Sequence, residues 1–159
     1  MTNFDAATLA QINAADPMKN TWVSANAGSG KTRVLTDRVA RLLLHDTDPQ
    51  RILCLTYTKA AAAEMQNRLF KRLGEWAMMP DGMLQDDLTD LGVSGTIDAA
   101  RLRNARQLFA RAIETPGGLK IQTIHSFCSG VLRRFPLEVE ISPQFKEIED
   151  TTARELRAD

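Results

Sequence analysis

Gly-Ser-Gly-Lys-Thr at residues 28–32, within TWVSANAGSGKTRVLTDRV at 21–39, constrains this chain more than any other stretch. The phosphate-loop pattern is G-x-x-x-x-G-K-[ST]. Gly30, Lys31 and Thr32 fit it, and Ala25 stands where the first glycine is usual. Residues 21–25 are β-forming and read as a short buried strand. After the turn at 26–30, Val34, Leu35, Val39, Leu42 and Leu43 recur at helical spacing over residues 31–44. Strand, glycine-rich turn and helix is the context the pattern requires. There, loop N–H groups and the helix N-terminus cradle phosphates. The expected cradle is Ala25, Asn26, Ala27, Gly28, Ser29 and Gly30. Lys31 is expected to reach the β/γ-phosphates and the Thr32 hydroxyl to hold Mg²⁺. These two are the candidate catalytic residues. Gly28 and Gly30 matter more to close phosphate approach than position 25, so Ala25 is compatible with the reading. The pattern specifies ATP or GTP but no reaction. The plainer alternative is a glycine turn before a core helix.

The next unit repeats the order. RILCLTYT at 51–58 reads as a strand. The alanine-rich 59–74 reads as a helix, with Met65, Leu69 and Leu73 on its apolar face and Gly74 as its stop. Strand–helix–strand–helix predicts an α/β fold with a parallel sheet. Ligands gather outside the carboxyl ends of such strands, which puts 25–32 and 56–59 on one edge. Residues 75–97 mix turn residues with isolated Met, Leu and Trp, and read as a peripheral loop with short helices. Residues 98–115 read as a helix capped by Asp98, with Leu102, Ala105, Leu108, Phe109 and Ala112 buried. Its four arginines form either a solvated face or a phosphate-facing patch. KIQTI at 120–124 is a strand, ending at His125 and Ser126. The helix after it is expected to turn Phe127, Val131 and Leu132 inward. No third residue completes a Ser/His hydrolase arrangement.

Charge is segregated along the chain. Residues 75–98 carry Glu75, Asp81, Asp86, Asp87, Asp90 and Asp98 without Lys or Arg, whereas 101–134 are rich in arginine. With 20 positive and 20 negative side chains, net charge neither demands nor forbids a nucleic-acid partner. Cys54 and Cys128 sit in apolar stretches and are expected to be buried thiols, with no Cys/His spacing for zinc. No secretory pattern opens the chain and no apolar run approaches membrane length. The expectation is a cytoplasmic protein with no membrane partner.

Three blocks together resemble the start of a UvrD/Rep-type superfamily 1 DNA helicase. They are ANAGSGKTRVL (25–35), LTYTKAAAAEM (55–65) and TIHSFCSGVLRRFPLE (123–138), and Gln11 in LAQINAADP (9–17) resembles the family's adenine-reading glutamine. Within the family the wording is most similar to AddA-type helicase–nuclease subunits. The resemblance implies a P-loop NTPase with a partial RecA-like motor domain. Residues 1–159 would be the amino-terminal part of its ATP-binding domain, with 75–118 a mostly helical insertion. It implies ATP and Mg²⁺ as cofactors, Gln11 on the adenine edge and Arg33 near the base. Thr56, Tyr57, Thr58 and Lys59 would hold single-stranded DNA, and His125 and Ser126 would meet the same strand. It further implies 3′→5′ movement, break repair and recombination, single-stranded and duplex-end DNA as partners, and an AddB-like partner subunit. The common second block has Asn-Lys after its second threonine, where this chain has Lys59-Ala60, and Tyr57 replaces the usual phenylalanine.

No Asp-Glu strand follows residue 140 to supply a second Mg²⁺ ligand, and Glu147, Glu149 and Asp150 follow no apolar strand. No arginine finger is assignable. The expectation is an amino-terminal piece of a larger enzyme, inactive in hydrolysis by itself. The alternatives are another P-loop phosphotransferase and a non-catalytic ATP-dependent DNA-binding module.

Overall fold

The computed structural model describes residues 4–24, 26, 28, 30–138, 140–142, 144 and 145. The expectations on Ala25, Ala27, Ser29, Glu147, Glu149 and Asp150 lie outside these residues. Helix α1 (Ala6–Ala14) begins at Asp5, whose carboxylate accepts the Thr8 N–H at 2.7 Å. Helix α2 (Lys31–Leu44) begins at Gly30. Strand β1 (Leu53–Thr56) follows a single 3₁₀ turn, Pro49–Arg51. Helix α3 (Lys59–Met78) is capped by the Thr58 hydroxyl. Then come α4 (Asp81–Asp90), α5 (Ala99–Glu114), β2 (Lys120–Thr123) and α6 (Ile124–Arg134).

The strands pair in parallel, with Leu53 opposite Lys120 and Thr56 opposite Thr123. This is an α/β fold with a small parallel sheet and added helices, the architecture of a partial RecA-like P-loop motor domain. Helix α3 is its hub, packed on the sheet, α2 and α5. The core joins Val39 and Leu43 of α2, Met65, Leu69 and Leu73 of α3, and Leu102, Ala105 and Leu108 of α5.

Several expectations are corrected. Thr21–Ser24 form no strand, and Trp22 is 92% exposed. No described strand pairs with that segment, and β-propensity alone does not close a ladder. Helix α3 runs through Gly74 to Met78, because the missing side chain leaves room for Phe109. Residues 75–97 are not peripheral: Trp76, Leu84 and Leu88 are fully buried. Their polar neighbours hide the pattern, since Trp76 donates Nε1–H to Asp87 at 2.5 Å and so keeps an acid over the core. The α5 arginines are neither a free face nor a shared patch. Arg106 holds Met79 O and Asp81, Arg111 holds Asp46, and Arg101 holds Ser94 O. Helix α6 buries none of its residues, so Phe127, Val131 and Leu132 are not core and Cys128 is exposed. Its helical spacing is amphipathic, but no described element covers that face. Leu35, expected inside, is half-exposed on α2.

Candidate functional site

Gly28 and Gly30 adopt φ of 82° and 86°. This left-handed conformation suits glycine and lets the chain turn straight into α2. Gly30 gives that helix no side-chain cap, so its first turn keeps donors and positive dipole for an anion. A methyl group at Gly30 would approach Gln11 Nε2 to 3.2 Å, whereas one at Gly28 would meet nothing within 4 Å. Gln11 therefore lies over the helix end while Gly28 borders open space. Lys31 donates from Nζ to Asn26 O at 2.6 Å, within the turn.

A cleft of about 430 Å³ is lined by Gly28, Gly30, Lys31, Thr32, Glu64 and Arg68. Glu64 and Arg68, paired at 2.5 Å, come from the first turns of α3 and were not identified from the sequence. Their four-residue spacing was visible, but not which face α3 turns to the loop. Arg68 also borders a second cleft of about 170 Å³ with Arg33, Thr36, Asp37 and Arg72. There Asp37 pairs with both Arg72 and Arg33, the latter at 3.7 Å. The wall beside the loop thus carries four cations, Lys31, Arg33, Arg68 and Arg72, against Glu64 and Asp37.

The second cluster stands at the carboxyl ends of β1 and β2. The parallel register sets Thr56 beside Thr123, so the residues after each meet. The Tyr57 and His125 rings lie 6.2 Å apart between centroids, edge to face at 71°. Thr56 Oγ1 donates to Thr58 O at 2.9 Å, and Thr58 Oγ1 accepts the Ala61 N–H at 3.1 Å. Thr123 Oγ1 accepts the Ser126 N–H at 3.1 Å and shares a 2.9 Å bond with the Ser126 hydroxyl. The hydroxyls brace two turns, while Tyr57, Lys59 and His125 are exposed. Exposed rings beside a cation form a platform on which unpaired bases can stack.

Among the described residues, no group of three or more His, Cys, Asp or Glu could hold a metal ion. No described helix is long and apolar enough to cross a membrane.

Comparison with known proteins agrees with this geometry. The family model of the UvrD/REP helicase N-terminal domain matches residues 6–159. Similar relatives are named as ATP-dependent helicase/nuclease subunits of the A type. The one from Lactobacillus gasseri is 36% identical over 158 residues, covering 98% of this chain and 11% of that protein. The one from Latilactobacillus sakei is 36% identical over 137 residues, covering 86% of this chain and 13% of that protein. The one from Bacillus pumilus is 35% identical over 140 residues, covering 86% of this chain and 9% of that protein. The chain therefore spans about a tenth of the length of the relatives it matches. It belongs to the UvrD/REP helicase N-terminal domain family and is homologous to these helicase/nuclease proteins.

Proposed function

We propose that the turn at 26–32 binds the phosphates of Mg²⁺-ATP and that the Tyr57–His125 edge holds single-stranded DNA. One observation carries the reading. Helix α3 starts beside Tyr57, at its Thr58 cap, and lines the phosphate cleft with Glu64 and Arg68. Six residues of helix span only about 9 Å, so one rigid element joins the two sites. A change at the phosphates can thereby move the DNA platform.

The residues fit the nucleotide. Gly28 leaves space, the end of α2 supplies donors, and Lys31 has a neutral carbonyl to exchange for an anionic oxygen. A charge-assisted bond of that kind is roughly twice as strong as a neutral one. Bound Mg²⁺ would neutralise developing phosphate charge, with the Thr32 hydroxyl as this chain's ligand to it. Ala25, Asn26, Ala27 and Ser29 complete the cradle, with Gln11 and Arg33 on the base side. Thr56, Thr58, Lys59 and Ser126 shape the DNA edge around the two rings.

The whole protein in this reading is a cytoplasmic 3′→5′ DNA helicase–nuclease acting on duplex ends in break repair and recombination, beside an AddB-like partner. Residues 1–159 are the first part of its ATP-binding domain, and 75–118 a helical insertion. The relatives' name supports helicase and nuclease activity in one polypeptide. The test is ATPase activity of the complete polypeptide with and without oligo-dT. Tyr57→Ala with His125→Ala should lower DNA stimulation by about tenfold, since a stacked base contributes ~1–3 kcal/mol, and leave basal turnover unchanged. Equal loss of basal and stimulated rates would overturn the DNA assignment.

A further inference from the structure

Helix α1 carries Gln11 to the phosphate turn, yet it buries none of its own residues. Its place is set by other ties. Arg41, on α2 and only 9% exposed, donates from Nη1 to Ile12 O at 2.8 Å. Ile12 lies in the last turn of α1, where carbonyls lack helical partners. The neighbouring carbonyls of Gln11 and Asn13 accept from Ala15 and Asp16 at 3.0 and 3.2 Å, and Arg41 completes the set. A cation there also opposes the negative end of the helix dipole. Arg38 grips the following turn through Asp16 O and Lys19 O, at 2.5 and 2.6 Å.

The far side of Ile12 is closed by the turn after α4. Gly92 has φ of 85°, and a methyl group there would lie 2.3 Å from Ile12 Cγ2 and 3.3 Å from Arg41 Nη1. Backbone from the helical segment thus presses on the residue next to Gln11. Burial lowers the Arg41 pKa, nearby Asp16 and Asp37 counter this, and Arg38 adds to it.

We infer that Arg41, with Gly92 packed behind Ile12, is a positioning residue for Gln11 and thereby sets the preference for adenine over guanine nucleotides. The inference rests on the reading that Gln11 faces the base. A carboxamide can accept from N6 and donate to N7 of adenine together. Guanine offers acceptors at both atoms, so the amide oxygen then meets an acceptor. The discrimination needs the amide held in place, and a helix without a buried face does not hold it unaided.

The experiment measures affinities of this chain for fluorescent ATP and GTP analogues and for inorganic tripolyphosphate, all with Mg²⁺. Gln11→Ala should lower the ATP-to-GTP affinity ratio by about tenfold, the scale of one lost bidentate base contact. Arg41→Met keeps the apolar stem, and Gly92→Ala displaces Ile12 from the other side. Each should lower the ratio toward the Gln11→Ala value with tripolyphosphate affinity unchanged, and Arg41→Lys should recover part of it. An unchanged ratio in Arg41→Met and Gly92→Ala, with a lowered ratio in Gln11→Ala, would overturn the positioning role alone. Parallel loss of ATP, GTP and tripolyphosphate affinity would mark a structural role only and overturn it too. An unchanged ratio in Gln11→Ala would remove the Gln11 reading and the inference with it.

Discussion

Cys54 and Cys128 show how far a residue's chemistry depends on what covers it. Cys54 on β1 faces the core and burial pushes its thiol pKa up, whereas Cys128 on α6 is exposed. Because the thiolate is the nucleophile, iodoacetamide at mildly alkaline pH should alkylate Cys128 in the native chain and Cys54 only after denaturation. Peptide mass spectrometry checks this, and equal labelling of both in the native chain would contradict the burial assignment. Both residues occupy apolar stretches, so sequence context alone did not separate them. The loop residues were more legible, since Gly28 and Gly30 stand at positive φ, where glycine has a distinct advantage. The Lys31 bond to Asn26 O and the approach of Glu64 and Arg68 were not legible, because they depend on how α3 is rotated.

At the scale of elements, helix starts were readable from their caps. Asp98 accepts the Arg101 N–H at 2.9 Å, and α5 begins at the next residue. Helix ends were harder. Gly74 looked like a stop, but a glycine costs a helix only about 1 kcal/mol, and packing against Phe109 outweighs that. The extension matters because it carries Trp76 into the core, where its side chain is fully buried. Replacing Trp76 by Ala should destabilise the chain by about 3–5 kcal/mol, measured by urea unfolding against the unchanged protein. A loss below about 1 kcal/mol, the range of ordinary surface substitutions, would return residues 75–97 to the periphery.

Across the whole molecule, the separation of acidic and basic stretches resolves into pairing. Arg106 meets Asp81 at 2.6 Å and Arg111 meets Asp46 at 2.9 Å. These pairs are partly exposed and add little stability individually, yet they fix which faces of α4 and α5 meet. The strand–helix order made the parallel sheet legible, and with it the edge that brings Tyr57 to His125. The expected strand at 21–25 was not realised, since propensity cannot supply a pairing partner. Both proposed sites depend on the turn before α2 being a nucleotide cradle centred on Lys31. That dependence is tested by the affinity of this chain for a fluorescent ATP analogue with Mg²⁺, before and after Lys31→Ala. The expected result is a loss of roughly ten- to a hundredfold, the range of one hydrogen bond to a charged group, with circular dichroism and unfolding midpoint unchanged. Undiminished affinity in a folded Lys31→Ala chain would contradict the cradle.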